Sequence, residues 1–95
     1  MTIDDIIAAF RSVQTGVAKA MQHEHPHYSP EGAQIRIDFI EDFLTRVKRG
    51  GDASGYLSRW GESNPDTWDD IMDEVLVQLG VNDTDEFWPV LSKGL

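Results

Sequence analysis

The 95-residue chain is strongly acidic, with 17 aspartates and glutamates against eight lysines and arginines and a formal net charge of −9. This charge disfavours direct binding of a nucleic-acid backbone or an anionic membrane, because both require a basic surface. The chain has no cysteine, which excludes disulfide bonds, thiolate chemistry and cysteine-ligated zinc. Length and composition predict a single helical domain over residues 1–95, with no internal repeat or linker.

The N-terminus gives an expectation about location. It carries Asp4 and Asp5 and lacks the basic region and apolar run of a signal peptide. The longest uninterrupted apolar run covers residues 6–10, far fewer than the roughly 20 residues that span a bilayer. We therefore expect a soluble, cytoplasmic protein with no membrane contact.

Apolar residues recur at helical spacing over residues 3–22, which predicts a first helix. Thr2 is its expected N-cap, and Asp5 three residues later completes a capping pair. Gln14 falls inside the apolar stripe, where we expect a hydrogen-bonded core amide. Gly16 costs about 1 kcal/mol relative to alanine at a mid-helix position, so we expect it to allow close approach by a neighbouring element.

A second start signal follows at Ser29, with Pro30 at the first helical position, and predicts a helix over residues 30–48. Its apolar residues occupy a wide arc, which is typical of a central helix with more than one neighbour. Residues 35–39 alternate as a strand would, but the capping residues and the downstream period favour a helix. Gly50 is expected to end it.

Three further segments complete the predicted fold. Residues 50–63 are predicted to hold a short helix capped by Asp52 and ended by Gly61. Asn64 then caps the clearest helix, which ends at Gly80. After Asp83 a short terminal helix docks onto the core. The sequence thus predicts an all-α protein, a small irregular bundle of four to five helices.

Three histidines, His23, His25 and His27, form the sharpest cluster of chemically active side chains. Imidazole is a common metal ligand, and alternate residues of an extended segment point the same way. A metal-binding or metal-responsive protein that uses this loop is therefore our alternative functional hypothesis. Pro26 interrupts the cluster, and the spacing matches no common zinc or iron site.

Catalytic and cofactor motifs are missing from the sequence. There is no nucleophile elbow and no glycine-rich phosphate loop, so we expect a non-enzymatic protein that needs no cofactor. Acyl carrier proteins share the size and acidity, but attach their prosthetic group to the serine of an Asp-Ser-Leu motif. The nearest serine here, Ser54, follows an alanine and precedes a glycine, so the motif is absent.

The acidity is concentrated in the last third of the chain. Residues 1–60 carry eight acidic and seven basic side chains, whereas residues 61–95 carry nine acidic side chains and one lysine. On the helix after Asn64, five carboxylates lie opposite the apolar stripe without a basic residue three or four positions later. They are Asp66, Asp69, Asp70, Asp73 and Glu74. Val77 projects into the same face and resembles a small apolar anchor with a charged rim.

This distribution predicts a protein-interaction module whose acidic C-terminal helical surface binds a basic protein partner. The role would be that of an inhibitor, an immunity or antitoxin-like protein, or a mimic of a nucleic-acid backbone. Trp60 and Trp88 are added to the expected contact residues, because tryptophan is enriched in binding hot spots, whereas Trp68 is assigned to the core. A structural subunit of a homo-oligomer is a third hypothesis.

Overall fold

The computed structural model describes residues 1–22, 29–50 and 53–93. Within these ranges the chain forms five α-helices and one 3-10 turn, and no strand occurs. The elements are α1 (Ile3–Ala20), α2 (Pro30–Arg49), α3 (Ala53–Ser63), α4 (Pro65–Leu79), the turn (Thr84–Glu86) and α5 (Trp88–Lys93). The predicted all-α class is confirmed, and residues 35–39 are helical.

Local signals fix most of the helix ends. The Asp5 amide donates to Thr2 Oγ1 at 3.2 Å and the Thr2 amide donates to Asp5 Oδ2 at 2.8 Å, so the predicted capping pair is present. Ser29 Oγ accepts a backbone N–H in the first turn of α2 at 3.0 Å. Gly50 and Gly80 follow α2 and α4 with φ of +70° and +71°, a left-handed conformation that favours glycine.

The predicted stop at Gly61 is wrong, because α3 continues through it to Ser63. Gly61 instead lies against the indole of Trp68, and a Cβ added there would stand 2.7 Å from two ring carbons. This glycine therefore permits close packing of α3 against the start of α4. The predicted cap of α3, Asp52, lies outside the described residues.

Asn64 joins α3 to α4 in a way that the sequence did not indicate. It occupies the N-cap position of α4, as predicted, but its side chain caps no backbone N–H there. Its Nδ2 donates to the carbonyl oxygen of Trp60 at 3.1 Å, in the last turn of α3. The same carbonyl also accepts the backbone N–H of Asn64 at 2.9 Å, so Asn64 binds the last turn of α3 through both its main chain and its side chain.

One hydrophobic core holds the helices together. Helix α1 packs between α2 and α4, α3 contacts α2, α4 and α5, and α5 also reaches α1. The rings of Phe10 and Phe43 lie 4.6 Å apart at the α1–α2 contact. Other fully buried side chains come from every helix and from the segment before α5: Ile6, Ile40, Leu44, Leu57, Ile71, Val75, Phe87 and Leu91. Because the apolar stripe of α4 is buried in this core, the charged side of the helix faces solvent.

Gln14 is hydrogen-bonded, as predicted, but it lies half-buried at the edge of the α1–α2 contact and not in the core. Its Nε2 donates to the Ile37 carbonyl at 3.1 Å and to Glu41 Oε2 at 3.0 Å. Arg11 Nη1 forms an ion pair with the same Glu41 oxygen at 2.6 Å. Mainly the Gln14 hydrogen bond, and then the hydrogen bond and charge of Arg11, lower the pKa of the Glu41 carboxyl below its ordinary value of 4.5.

This lowered pKa predicts an acid-dependent contribution to stability. A carboxyl whose pKa is lower in the folded state contributes stability above its unfolded pKa, and that contribution is lost as the pH falls through the folded pKa. Between neutral pH and a pH well below 4.5, we expect the melting temperature of Glu41→Gln to fall less than that of the unmodified protein. Glu62→Gln, at an exposed position of α3, controls for the loss of one charge; an equal effect in both variants would contradict the prediction.

Candidate functional site: an acidic face on α4

The outward side of α4 forms a continuous acidic surface. Its members are all exposed, and we call them the acidic face: Asp66, Asp69, Asp70, Asp73, Glu74 and Val77. Ile71, Met72 and Val75 on the opposite side of the helix are buried. The core therefore fixes the orientation of α4 about its own axis. As a result, the carboxylates and Val77 face solvent together.

Asp70 differs from the other carboxylates because α2 supplies a counter-ion. Arg36 Nη2 lies 2.9 Å from Asp70 Oδ2, and the Arg36 side chain is 11% exposed against 59% for Asp70. Within the described ranges, Asp66, Asp69, Asp73 and Glu74 form no ion pair. One carboxylate thus ties α4 to α2, and four are available to a partner.

Val77 is the apolar centre of the face. It is 74% exposed, more than any other large apolar side chain in the described part of the chain. Glu74 and Asp73 precede it by three and four positions, so one turn of helix places their carboxylates beside it. A partner that covered this turn would bury Val77 while meeting carboxylates at its rim.

The tryptophans serve mainly to pack the core. Trp60 is half-buried and stacks on Phe39, with ring centroids 3.9 Å apart. Trp88 is half-buried as well, and lies 6.4 Å from Trp68 and 5.2 Å from Phe87 between ring centroids. Trp68, predicted as core, is itself only partly buried. Trp60 and Trp88 belong to α3 and α5, so they lie on different elements from the acidic face.

A groove between α1 and α4 was not anticipated from the sequence. It has a volume of about 770 Å³ and is lined mainly by small or apolar residues of α1. Arg11 and Lys19 add two cations on the α1 side, and Glu74 and Gln78 line the α4 side. A second depression of about 530 Å³ shares Ala8 and Gln78 with it and continues toward Met1. The signal in the sequence was the four-residue spacing of Ala8, Ser12, Gly16 and Ala20, which marks a helix face without bulk.

The metal hypothesis gains no support from the described residues. His23, His25 and His27 lie outside them, and in the remaining ranges no three histidines or carboxylates are placed to hold a metal ion. Across the same ranges, no helix combines the length and the apolar character that a bilayer crossing requires.

Comparison of the chain with models of known protein families, with curated proteins and with solved structures finds no significant match. The chemistry of the acidic face therefore has to follow from its geometry. Carboxylates accept hydrogen bonds and attract cations, and arginine can engage one with two parallel N–H donors. The face is suited to lysine and arginine side chains.

Proposed function

We propose that this protein is a non-enzymatic binding module whose acidic face engages a basic protein partner. The observation that carries the proposal is the exposure of four carboxylates around a valine that is 74% exposed, with no counter-ion for any of the four among the described residues. The biological role would be that of an inhibitor, an immunity or antitoxin-like protein, or a mimic of a nucleic-acid backbone.

The electrostatics of the free protein support this proposal. Carboxylates three or four positions apart on a helix repel one another, at a cost of a few tenths of a kcal/mol, roughly, for each pair. Asp66, Asp69, Asp70, Asp73 and Glu74 contain several such pairs, and Arg36 offsets the charge of Asp70 alone in the described structure. A basic partner would relieve this repulsion, and the same field would speed its association.

The partner would divide its contacts between two kinds of interaction. Exposed carboxylates at a rim raise the association rate more than they raise affinity. Burial of an apolar side chain at the centre slows dissociation, because its contacts must be broken before the partner leaves. In this proposal the carboxylates steer the encounter, and Val77 holds the complex.

The test is a triple variant that removes charge and keeps size, Asp69→Asn with Asp73→Asn and Glu74→Gln. Asp70 is left intact, because its ion pair with Arg36 also serves the fold. The tagged variant and the unmodified protein are used to capture partners from source-cell lysate, with quantitative mass spectrometry at low and high salt. We expect the unmodified protein to capture a basic protein at low salt, and both the variant and high salt to lose it.

A matched control changes the same number of charges elsewhere. Glu31→Gln with Asp38→Asn and Asp42→Asn alters three exposed carboxylates of α2 and should retain the partner. A further variant, Val77→Ser, should bind at a similar rate and dissociate faster. Equal capture by the α4 triple variant and the α2 control would refute the proposal.

A further inference from the structure

The groove between α1 and α4 adjoins the acidic face through a shared residue. Glu74 lines the groove and also belongs to the acidic face. Together with the adjoining depression, the groove follows α1 from Asp5 to Ala20. At 1.5 Å per residue that is about 22 Å, the length of four turns of helix. Its shape is long and open, as expected for a segment of polypeptide.

Gly16 is the residue that keeps the centre of this groove open. It lines the groove, is exposed, and has no described atom within 4 Å of the position that a Cβ would occupy. The expected close neighbour of Gly16 is therefore not found among the described residues. A mid-helix glycine still costs stability relative to alanine. A floor without a side chain offers an external helix a place to approach closely.

Charge decides between two occupants of the groove. A second copy of this chain would bring a net charge of −9 against the same charge, and with it another set of carboxylates. The α1 side of the groove carries Lys19 and also Arg11, which is paired with Glu41. A basic helix would therefore direct its cationic side chains to the α4 side, toward Glu74 and the acidic face, while its apolar side covered the floor. Amphipathic helices bind apolar grooves in this manner, with anchors three and four residues apart.

We infer that the α1–α4 groove receives an amphipathic helix of the basic partner, with its small apolar side over Gly16 and its lysines or arginines toward Glu74. This inference rests on the proposed function and specifies its partner as a basic helix. It adds the groove to Val77 as a source of apolar contacts and leaves the charged contacts to the carboxylates of the acidic face.

Three labelled peptides of about 18 residues, enough to fill the groove, test the inference by fluorescence anisotropy. The first places alanine and leucine on one helical side and lysine on the other. The second has the same composition in scrambled order, and the third has glutamate in place of lysine. We expect the amphipathic lysine peptide to bind about tenfold more tightly than the scrambled one, and the glutamate peptide not to bind.

Two variants of α1 locate the binding. Gly16→Leu fills the groove with a good helix former and is expected to reduce affinity for the amphipathic peptide about tenfold, to the level of the scrambled peptide. Ala18→Leu enlarges an exposed residue of α1 that does not line the groove, and should leave both affinities unchanged. Thermal melts of both variants establish that they remain folded.

The outcomes separate the two proposals. If the two lysine peptides bind equally well, or if Gly16→Leu has no effect, the groove is not the site and the acidic face remains a candidate. If neither lysine peptide binds, the groove assignment fails, and the proposed function is decided separately by the capture experiment with the α4 triple variant. A dimer of the unmodified protein that Gly16→Leu dissociates in analytical ultracentrifugation would assign the groove to a second copy and overturn the inference.

Discussion

Truncation of Phe43 to alanine is expected to lower the free energy of unfolding by about 3–5 kcal/mol. Phe43 is completely buried in α2, and its ring packs against Phe10 of α1 and Phe39 of its own helix. The loss combines the transfer of apolar surface with the cavity that remains. Total stabilities are about 5–15 kcal/mol, so this one change removes a large part of the margin. Urea titration followed by circular dichroism measures it.

The control for Phe43→Ala is Ile35→Ala on the same helix. Ile35 is 50% exposed, so its truncation should change stability by no more than about 0.5 kcal/mol. A similar loss in both variants would mean that the Phe10–Phe43 contact does not hold the α1–α2 interface.

The second large effect is expected at Gly61, where alanine should destabilise the domain by about 1–3 kcal/mol. The new methyl group would stand 2.7 Å from two carbons of the Trp68 indole. Alanine is the better helix former. However, the clash requires α3 and α4 to separate or the Trp68 ring to turn, and the cost of that rearrangement outweighs the gain in helix propensity. Thermal or urea unfolding of the purified variant gives the sign directly.

Gly16→Ala provides the opposite expectation for the other mid-helix glycine. The space around Gly16 is open, so alanine should stabilise the domain by about 0.5–1 kcal/mol. Trp68→Leu combined with Gly61→Ala should recover part of the loss, because a smaller side chain leaves room for the methyl group. If Gly61→Ala and Gly16→Ala shift the stability in the same direction, the result would contradict the close packing of Gly61 against Trp68.

The parts of the fold that the sequence predicted depend on short-range chemistry. Thr2 with Asp5, Ser29 before Pro30, and the glycine after α4 act within a few residues of one another, so their patterns can be recognised without knowledge of the tertiary structure. The direction of the acidic face was predictable for the same reason, since helical periodicity alone separates charged from apolar positions.

The parts that were missed depend on contacts between distant segments. The extension of α3 through Gly61 follows from the position of the Trp68 ring, which a rule about glycine as a helix stop cannot include. The ion pair between Arg36 and Asp70 joins residues 34 positions apart, and only the packing of the helices brings them together. The groove likewise exists only where α1 meets α4. The energetic cost of Gly16 in the middle of a helix could be recognised from the sequence, but its position in the groove could not.

The central position of α1 determines how the domain loses its structure. Helix α1 rests on α2, which follows it in the chain, and on α4, which begins 45 residues after α1 ends. Most of the stability of a helix in a protein comes from the packing of its apolar side, so α1 depends on both contacts. We expect cooperative, all-or-none unfolding, in which the acidic face loses its fixed orientation in the same transition that abolishes the groove.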